Sequence, residues 1–217
     1  MNFTVKKKMD FDGREELRQV LYDAGLKSVS AAVAKYTLFL HPETVKQSKN
    51  RNLFRAIRDF PNRGRILPYN DEIGKIVADD NNAPANTFRW MIPGFSYKDV
   101  QFNHIYQDSK NVELYTCMAN LCVTPSFLAK LTDVDDAIVS LLKYRVYDLH
   151  GFCPAGESIP QKPEGYAALE WHKFPEPIGS IEKIFRKKLA SNAKSRTALS
   201  AREIGWLFSD FKPDKSL

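Results

Sequence analysis

Gln101-Phe102-Asn103-His104-Ile105 and, with its asparagine sixteen residues beyond that histidine, Ala119-Asn120-Leu121-Cys122-Val123-Thr124-Pro125 are the two stretches that organise this chain. In the first, Val100, Phe102 and His104 share one face of an extended strand, with Gln101, Asn103 and Ile105 on the other, because side chains alternate along β structure. Asp108-Ser109-Lys110-Asn111 reads as a loop, and residues 114–118 as a second short strand or a turn. Thr124-Pro125 puts proline where a first helical turn tolerates its missing N–H, so residues 126–131 predict a short helix. A longer helix follows, capped by Thr132 or Asp133 and running to about His150, with Val134, Ile138, Leu141, Leu142, Val146 and Leu149 as its buried stripe. Gly151 ends it, and residues 100–145 therefore predict a strand-loop-strand-helix unit.

Towards the N-terminus, residues 10–25 predict an amphipathic helix, capped by Asp12, with Leu17, Val20, Leu21 and Ala24 on one face and Gly25 as its stop. Residues 27–40 are a second apolar stretch, with Ser28 or Ser30 as cap. His41-Pro42 halts it, because the residue before proline is pushed out of helical geometry. Two helices joined at a glycine read either as a helix-turn-helix reading head or, more simply, as a helical layer packed on the central unit. Residues 44–60 predict a third helix carrying Lys46, Lys49, Arg51, Arg55 and Arg58. Pro61-Asn62-Arg63-Gly64-Arg65 is a turn with two guanidinium groups around a glycine. Residues 73–78 predict a strand, and so do residues 87–92, where Phe88, Trp90 and Ile92 alternate with Arg89 and Met91. Asp79-Asp80-Asn81-Asn82 between them is turn chemistry ahead of metal-ligand oxygen.

Towards the C-terminus, the proline-rich residues 154–177 predict a wrapping connection, and residues 181–189 a basic helix with Lys183, Arg186, Lys187 and Lys188. Ser200-Ala201-Arg202-Glu203 has capping-box spacing and opens a last helix with Ile204, Trp206 and Leu207. The sum is an α+β fold: a small mixed sheet containing the central unit, flanked by N- and C-terminal helices. Its regions are 1–62, 63–153 and 154–217, within one compact unit.

A chain of 217 residues with 43% hydrophobic and 12% aromatic residues excludes global disorder. No apolar run reaches the roughly 18 residues of a membrane span, and Lys6-Lys7-Lys8 lacks the apolar core of a signal peptide, so the expected compartment is the cytoplasm. Cys117, Cys122 and Cys153 fit neither a disulfide framework nor a cysteine zinc site. Nucleophile elbows and glycine-rich phosphate loops are missing. His150 suits the C-terminal end of its helix as a stabilising cation. The excess of 32 Lys and Arg over 26 Asp and Glu, a formal +6, favours a polyanionic partner, of which nucleic acid is the commonest.

Asn103-His104-Ile105 together with Asn120-Leu121 resembles the His-Me finger, or HNH-like, nuclease family, over residues 100–145. The resemblance implies a ββα-metal finger-like unit and a metal-dependent endonuclease that hydrolyses phosphodiester bonds, with double-stranded DNA as substrate and Mg, or Mn, as cofactor. It implies His104 as general base, Asn120 as the residue that orients it and Asn103 as a metal ligand; a carboxylate from outside the motif would complete the metal site, with Asp108, Asp79 and Asp80 as the candidates. Arg63, Arg65, Lys130, Arg55, Arg58 and Lys187 would contact the nucleic acid. A neutral imidazole can take the proton of an attacking water while a divalent ion stabilises the leaving oxygen, and a loop asparagine can fix the histidine tautomer. The sequence departs from the pattern twice: Asn103 is neutral where aspartate is usual, and Ala129, with Lys130 beside it, stands where the helix would supply a ligand. The alternatives are a non-catalytic DNA-binding or regulatory protein using its basic helices, and a protein-interaction module. A homodimer would suit symmetric cleavage.

Overall fold

Local caps start the chain's first two helices. In the computed structural model, which describes residues 12–191 and 196–205, α1 (Gly13–Asp23) begins at Asp12, whose carboxylate accepts the Arg14 N–H. In α2 (Val29–Tyr36) the Ser28 hydroxyl oxygen accepts the Ala31 N–H. The apolar stretch outruns this helix: Leu38 pairs antiparallel with Val123 instead. α3 (Pro42–Gln47) has proline in its first turn.

The helix expected over 44–60 is not formed. It stops at Gln47, Lys49 and Asn50 turn through positive φ of 53° and 57°, and the chain leaves as β1 (Ala56–Arg58). Contacts remote in sequence decide this. Thr116 Oγ1 accepts the Phe54 N–H and donates to the Phe54 carbonyl, both at 3.0 Å, and Asn52 bridges to Cys117. The backbone groups a helix would use are thus taken by another segment.

β1 runs parallel to β3 (Lys75–Asp79), with Ala56 opposite Val77, and β2 (Ile66–Pro68) runs antiparallel to β3 on its other side. Residues 87–91 are helical, not a strand: they lie in α4 (Asn82–Met91), with Ile92 extended behind it. Nearly every side of this helix is buried, and over so short a window Phe88, Trp90 and Ile92 mimic alternation. The carboxylate of Asp79 accepts the Ala83 N–H at 2.7 Å and so anchors its first turn.

β4 (Val100–His104) pairs antiparallel with β5 (Leu121–Pro125), setting Asn103 opposite Cys122 and His104 opposite Leu121. Their connection contains α5 (Val112–Tyr115) and a 3-10 turn at Met118–Asn120. Behind β5 come α6 (Ser126–Ala129), α7 (Leu131–Val134) and α8 (Asp136–His150). Asp135, rather than Thr132 or Asp133, caps α8 by accepting the Ala137 and Ile138 N–H groups, and Gly151 ends it at φ 61°. An irregular wrap interrupted by a 3-10 turn at Tyr166–Ala168 leads to α9 (Ile181–Ala190), capped by Ser180. α10 (Arg196–Ile204) opens before Ser200, while Trp206 and Leu207 lie outside the described residues. The fold is therefore α+β, with two small sheets of three and two strands among the described residues in place of one mixed sheet. Among the described residues no helix is long and apolar enough to cross a membrane.

One hydrophobic cluster reaches from Leu21 to Ala201 and draws on all three sequence regions. Cys117 and Cys122 belong to it, and burial pushes both thiols up to about 12, which leaves them packing groups. Phe54, Trp90 and Phe185 form an aromatic knot with ring centroids 5.0 to 5.3 Å apart, tying the entry to β1, α4 and α9 together. Phe185→Ala removes the fully buried member of that knot and is expected to cost about 3–5 kcal/mol, read as a lower midpoint in urea unfolding.

Candidate functional site

The antiparallel pair of β4 and β5 ends at His104, where the loop carrying α5 folds back over the strand. His104 Nε2 lies 2.9 Å from the carbonyl oxygen of Tyr115. A carbonyl only accepts, so Nε2 carries the hydrogen and the lone pair resides on Nδ1, to which no described residue bonds. The Tyr115 ring stacks on the imidazole at 5.2 Å with 12° between the planes. Burial lowers the His104 pKa below the ordinary 6.5. The Tyr115 carbonyl opposes that shift, the Arg58 guanidinium adds to it, and the Asp133 carboxylate opposes it again. At neutral pH the ring is an uncharged base with a fixed tautomer.

Tyr115 is itself held from behind. Its hydroxyl donates to Asp79 Oδ2 at 2.9 Å and accepts the Asn81 N–H at 2.7 Å. Burial foremost, then the Asp79 carboxylate, raises the phenol's pKa well above 10, so it stays a donor. Asp79, a carboxylate that the resemblance would offer to a metal, is committed instead to the Ala83 N–H and to Tyr115.

Asn120 does not touch His104. Its Oδ1 accepts the Tyr106 N–H at 2.8 Å, and its Nδ2 donates to the carbonyls of Tyr106 at 3.2 Å and Leu114 at 3.1 Å. Register explains the correction: Leu121 is the residue opposite His104, so the side chain of its neighbour falls to the other side. Asn120 ties the continuation of β4 to the residue before Tyr115, and so places the carbonyl that holds His104.

Asn103 alternates with His104 along β4, and both residues line one cleft. Asn103 is 6% exposed, and its Nδ2 donates to Thr124 Oγ1 at 2.7 Å, with a longer contact of 3.4 Å to the Gln101 carbonyl. Asp108 is exposed, accepts the Lys110 N–H at 3.2 Å, and lines a separate groove with Glu113, Asp136 and Glu157. The two residues assigned to a metal therefore do not converge. Asp80 is shared by Arg58 at 3.5 Å and Arg63 at 3.7 Å. Among the described residues no three His, Cys, Asp or Glu side chains form a group that could hold a metal ion.

What does converge is a cleft of about 390 Å³ bounded by β1, β4 and the turn after α6, into which Arg58, His104, Lys130 and Asp133 all project. Arg63 joins its edge through Asp80, and Arg65 is exposed in the same turn without lining the cleft. Arg55 turns inward, its Nη1 donating to the Ile73 carbonyl at 3.3 Å beside an apolar cavity, which removes it from the basic surface. Lys187 is exposed in the last turn of α9, outside the cleft. His150 is no helix-end cation: burial, then Arg145, lowers its pKa to about 4. Sequence reasoning missed Tyr115, Gln107 and Asp133. Tyr115 acts through a backbone carbonyl, which has no sequence signal. Gln107 donates to the Thr132 carbonyl at 3.1 Å, and Asp133 enters the cleft because α7 folds back beneath it.

The chain matches no protein-family model, no curated protein and no solved structure.

Both lowered histidines make folding pH-dependent with one sign. The unfolded chain takes up a proton near pH 6.5 that the folded His104 and His150 refuse, so stability is full above about 6.5 and falls as pH drops, for His150 down to about 4. Urea midpoints should decline from about pH 7.5 to about pH 5. NMR titration should show His104 still in the Nε2–H neutral form at pH 6.5, and a midpoint above 6.5 contradicts this site. Asn120→Ala leaves the Tyr106 N–H and the Leu114 carbonyl without their buried partner. It is expected to cost about 1–3 kcal/mol in thermal or urea unfolding and to increase the solvent exchange of the His104 Nε2 proton.

Proposed function

We propose that this chain is a nucleic-acid phosphodiesterase of the nuclease type, with His104 as general base in the cleft between β1, β4 and the turn after α6. The observation that carries this is the state of His104: neutral, pinned through Nε2 to the Tyr115 carbonyl, with Nδ1 left as its basic nitrogen, in a cleft it shares with two cationic side chains, Arg58 and Lys130. The order β4, β5, helix supports a finger-like unit around it.

The groups present define the chemistry. Arg58 and Lys130 would seat a phosphate, the guanidinium by two hydrogen bonds and the ammonium as a point charge. Nδ1 would take the proton of a water as its oxygen attacks phosphorus and the P–O bond to the departing strand breaks, the leaving oxygen taking a proton from solvent, while Nε2–H stays on the carbonyl and keeps the ring from rotating. The two cations would offset the charge that grows on the equatorial oxygens, and Asp133 would steady the imidazolium. A divalent ion, implied by the resemblance, does not fit the two residues assigned to it as a pair, because Asn103 lines the His104 cleft while Asp108 opens into another groove. That same mismatch favours the alternative of a protein that binds nucleic acid without cleaving it.

Incubation with DNA and RNA oligonucleotides, in Mg²⁺, in Mn²⁺ and in EDTA, separates the two. Cleavage by the wild type that falls about 100-fold or more in His104→Ala, with binding retained, is the expected result. Binding without cleavage in every condition supports the non-catalytic alternative, and the lack of any salt-sensitive binding removes both.

A further inference from the structure

Building on the nucleic-acid reading of the His104 cleft, we infer that the strand it takes is unpaired, and that Phe60 and Phe127 stack its bases on either side of the scissile phosphate. Phe60 and Phe127 are 65% and 59% exposed, although their size and apolar rings would ordinarily be buried. Neither ring lines the cleft, but each stands on a segment that supplies lining residues, Phe60 two residues after Arg58. Phe127 sits between Ser126 and Lys130, two of the residues that line it. On the other side Arg58 reaches Asp80, Asp80 reaches Arg63, and the Arg63 guanidinium lies over the Phe60 ring at 5.7 Å. Ring and cation thus recur at each end of this path: Phe127 and Lys130 on one side of His104, and on the other Arg58, paired to the Asp80 carboxylate, then Arg63 and Phe60.

This recurrence matches a single strand, whose phosphates and bare base faces present charge and aromatic surface in turn. A duplex keeps its base faces stacked inside and offers only phosphates and groove edges, so two solvent-facing phenyl rings would gain nothing from it. The cleft itself, about 390 Å³ with His104 partly buried in its wall, is of a size to admit one extruded nucleotide, as a convex duplex backbone cannot be. Gln101 and Asn81 at the lining supply neutral donors and acceptors for a base edge without demanding one sequence.

Fluorescence anisotropy in the His104→Gln background, where no substrate is consumed, tests the inference with one sequence prepared as single-stranded DNA, single-stranded RNA, duplex DNA and single-stranded DNA carrying abasic sites. The single strands should bind at least about 10-fold tighter than the duplex. Phe60→Ala and Phe127→Ala should each weaken single-strand binding about 5-fold or more, leave duplex binding unchanged, and have no further effect on the abasic strand. The DNA and RNA arms show which sugar the site accepts. Duplex bound as tightly as single strand, or phenylalanine substitutions without effect, overturns the unpaired-strand inference while leaving the phosphodiesterase standing. No binding to any of the four overturns both.

Discussion

A single buried carboxylate joins the two halves of this molecule. Asp79 closes β3 and is 3% exposed, and one of its oxygens receives both the first-turn N–H of α4 and the hydroxyl of Tyr115. Hydrogen bonds to a charged acceptor are about twice as strong as neutral ones, and in a dry interior a lost partner is not replaced by water. The three-stranded sheet, the buried helix behind it and the loop over β4 are thereby referred to one atom. His104 inherits its placement from that loop through the Tyr115 carbonyl and ring.

Asn120 performs the matching task on the other side. Its amide spends three hydrogen bonds on Tyr106 and Leu114, and fixes where the loop leaves and re-enters the strand pair. The histidine is thus held by its second nitrogen and its stacking partner, and the groups that hold those are buried. A base positioned in this way needs no direct asparagine contact. The exposed face is organised on different terms: Arg58 and Arg63 share Asp80 across 3.5 and 3.7 Å, side chains about half exposed, so solvent and salt screen these pairs strongly. Such cations can be released to a phosphate at little cost, whereas the inward Arg55 cannot.

The caps at Asp12 and Ser28, the stop at Gly151, the apolar stripe of α8 and the strand at Val100–His104 were all legible from local chemistry. Each is a short-range competition between a side chain and a few backbone groups. Residues 44–60 and 87–92 were not legible in this way. In the first, Thr116 captures both backbone groups of Phe54 from a distant segment. In the second, three apolar residues at alternate positions read as a strand, although they belong to the end of a helix that starts at Asn82. Helix propensity differs by a fraction of a kcal/mol per residue, and a tertiary capture such as that by Thr116 outweighs it.

At the site, the sequence by itself determined which residues have the chemistry: a histidine ending a strand, an asparagine before the partner strand, and basic side chains at 58 and 130. Only the tertiary structure decided what each of them does. Antiparallel register put Leu121 opposite His104 and sent Asn120 away from it. The fold of α5 supplied a carbonyl in place of an amide, and the approach of β1 and the turn after α6 brought Arg58 and Lys130 to the cleft that His104 lines. Residue type is a local property, but a hydrogen-bond partner is chosen by which segments meet, and those meetings are set by packing over the whole chain.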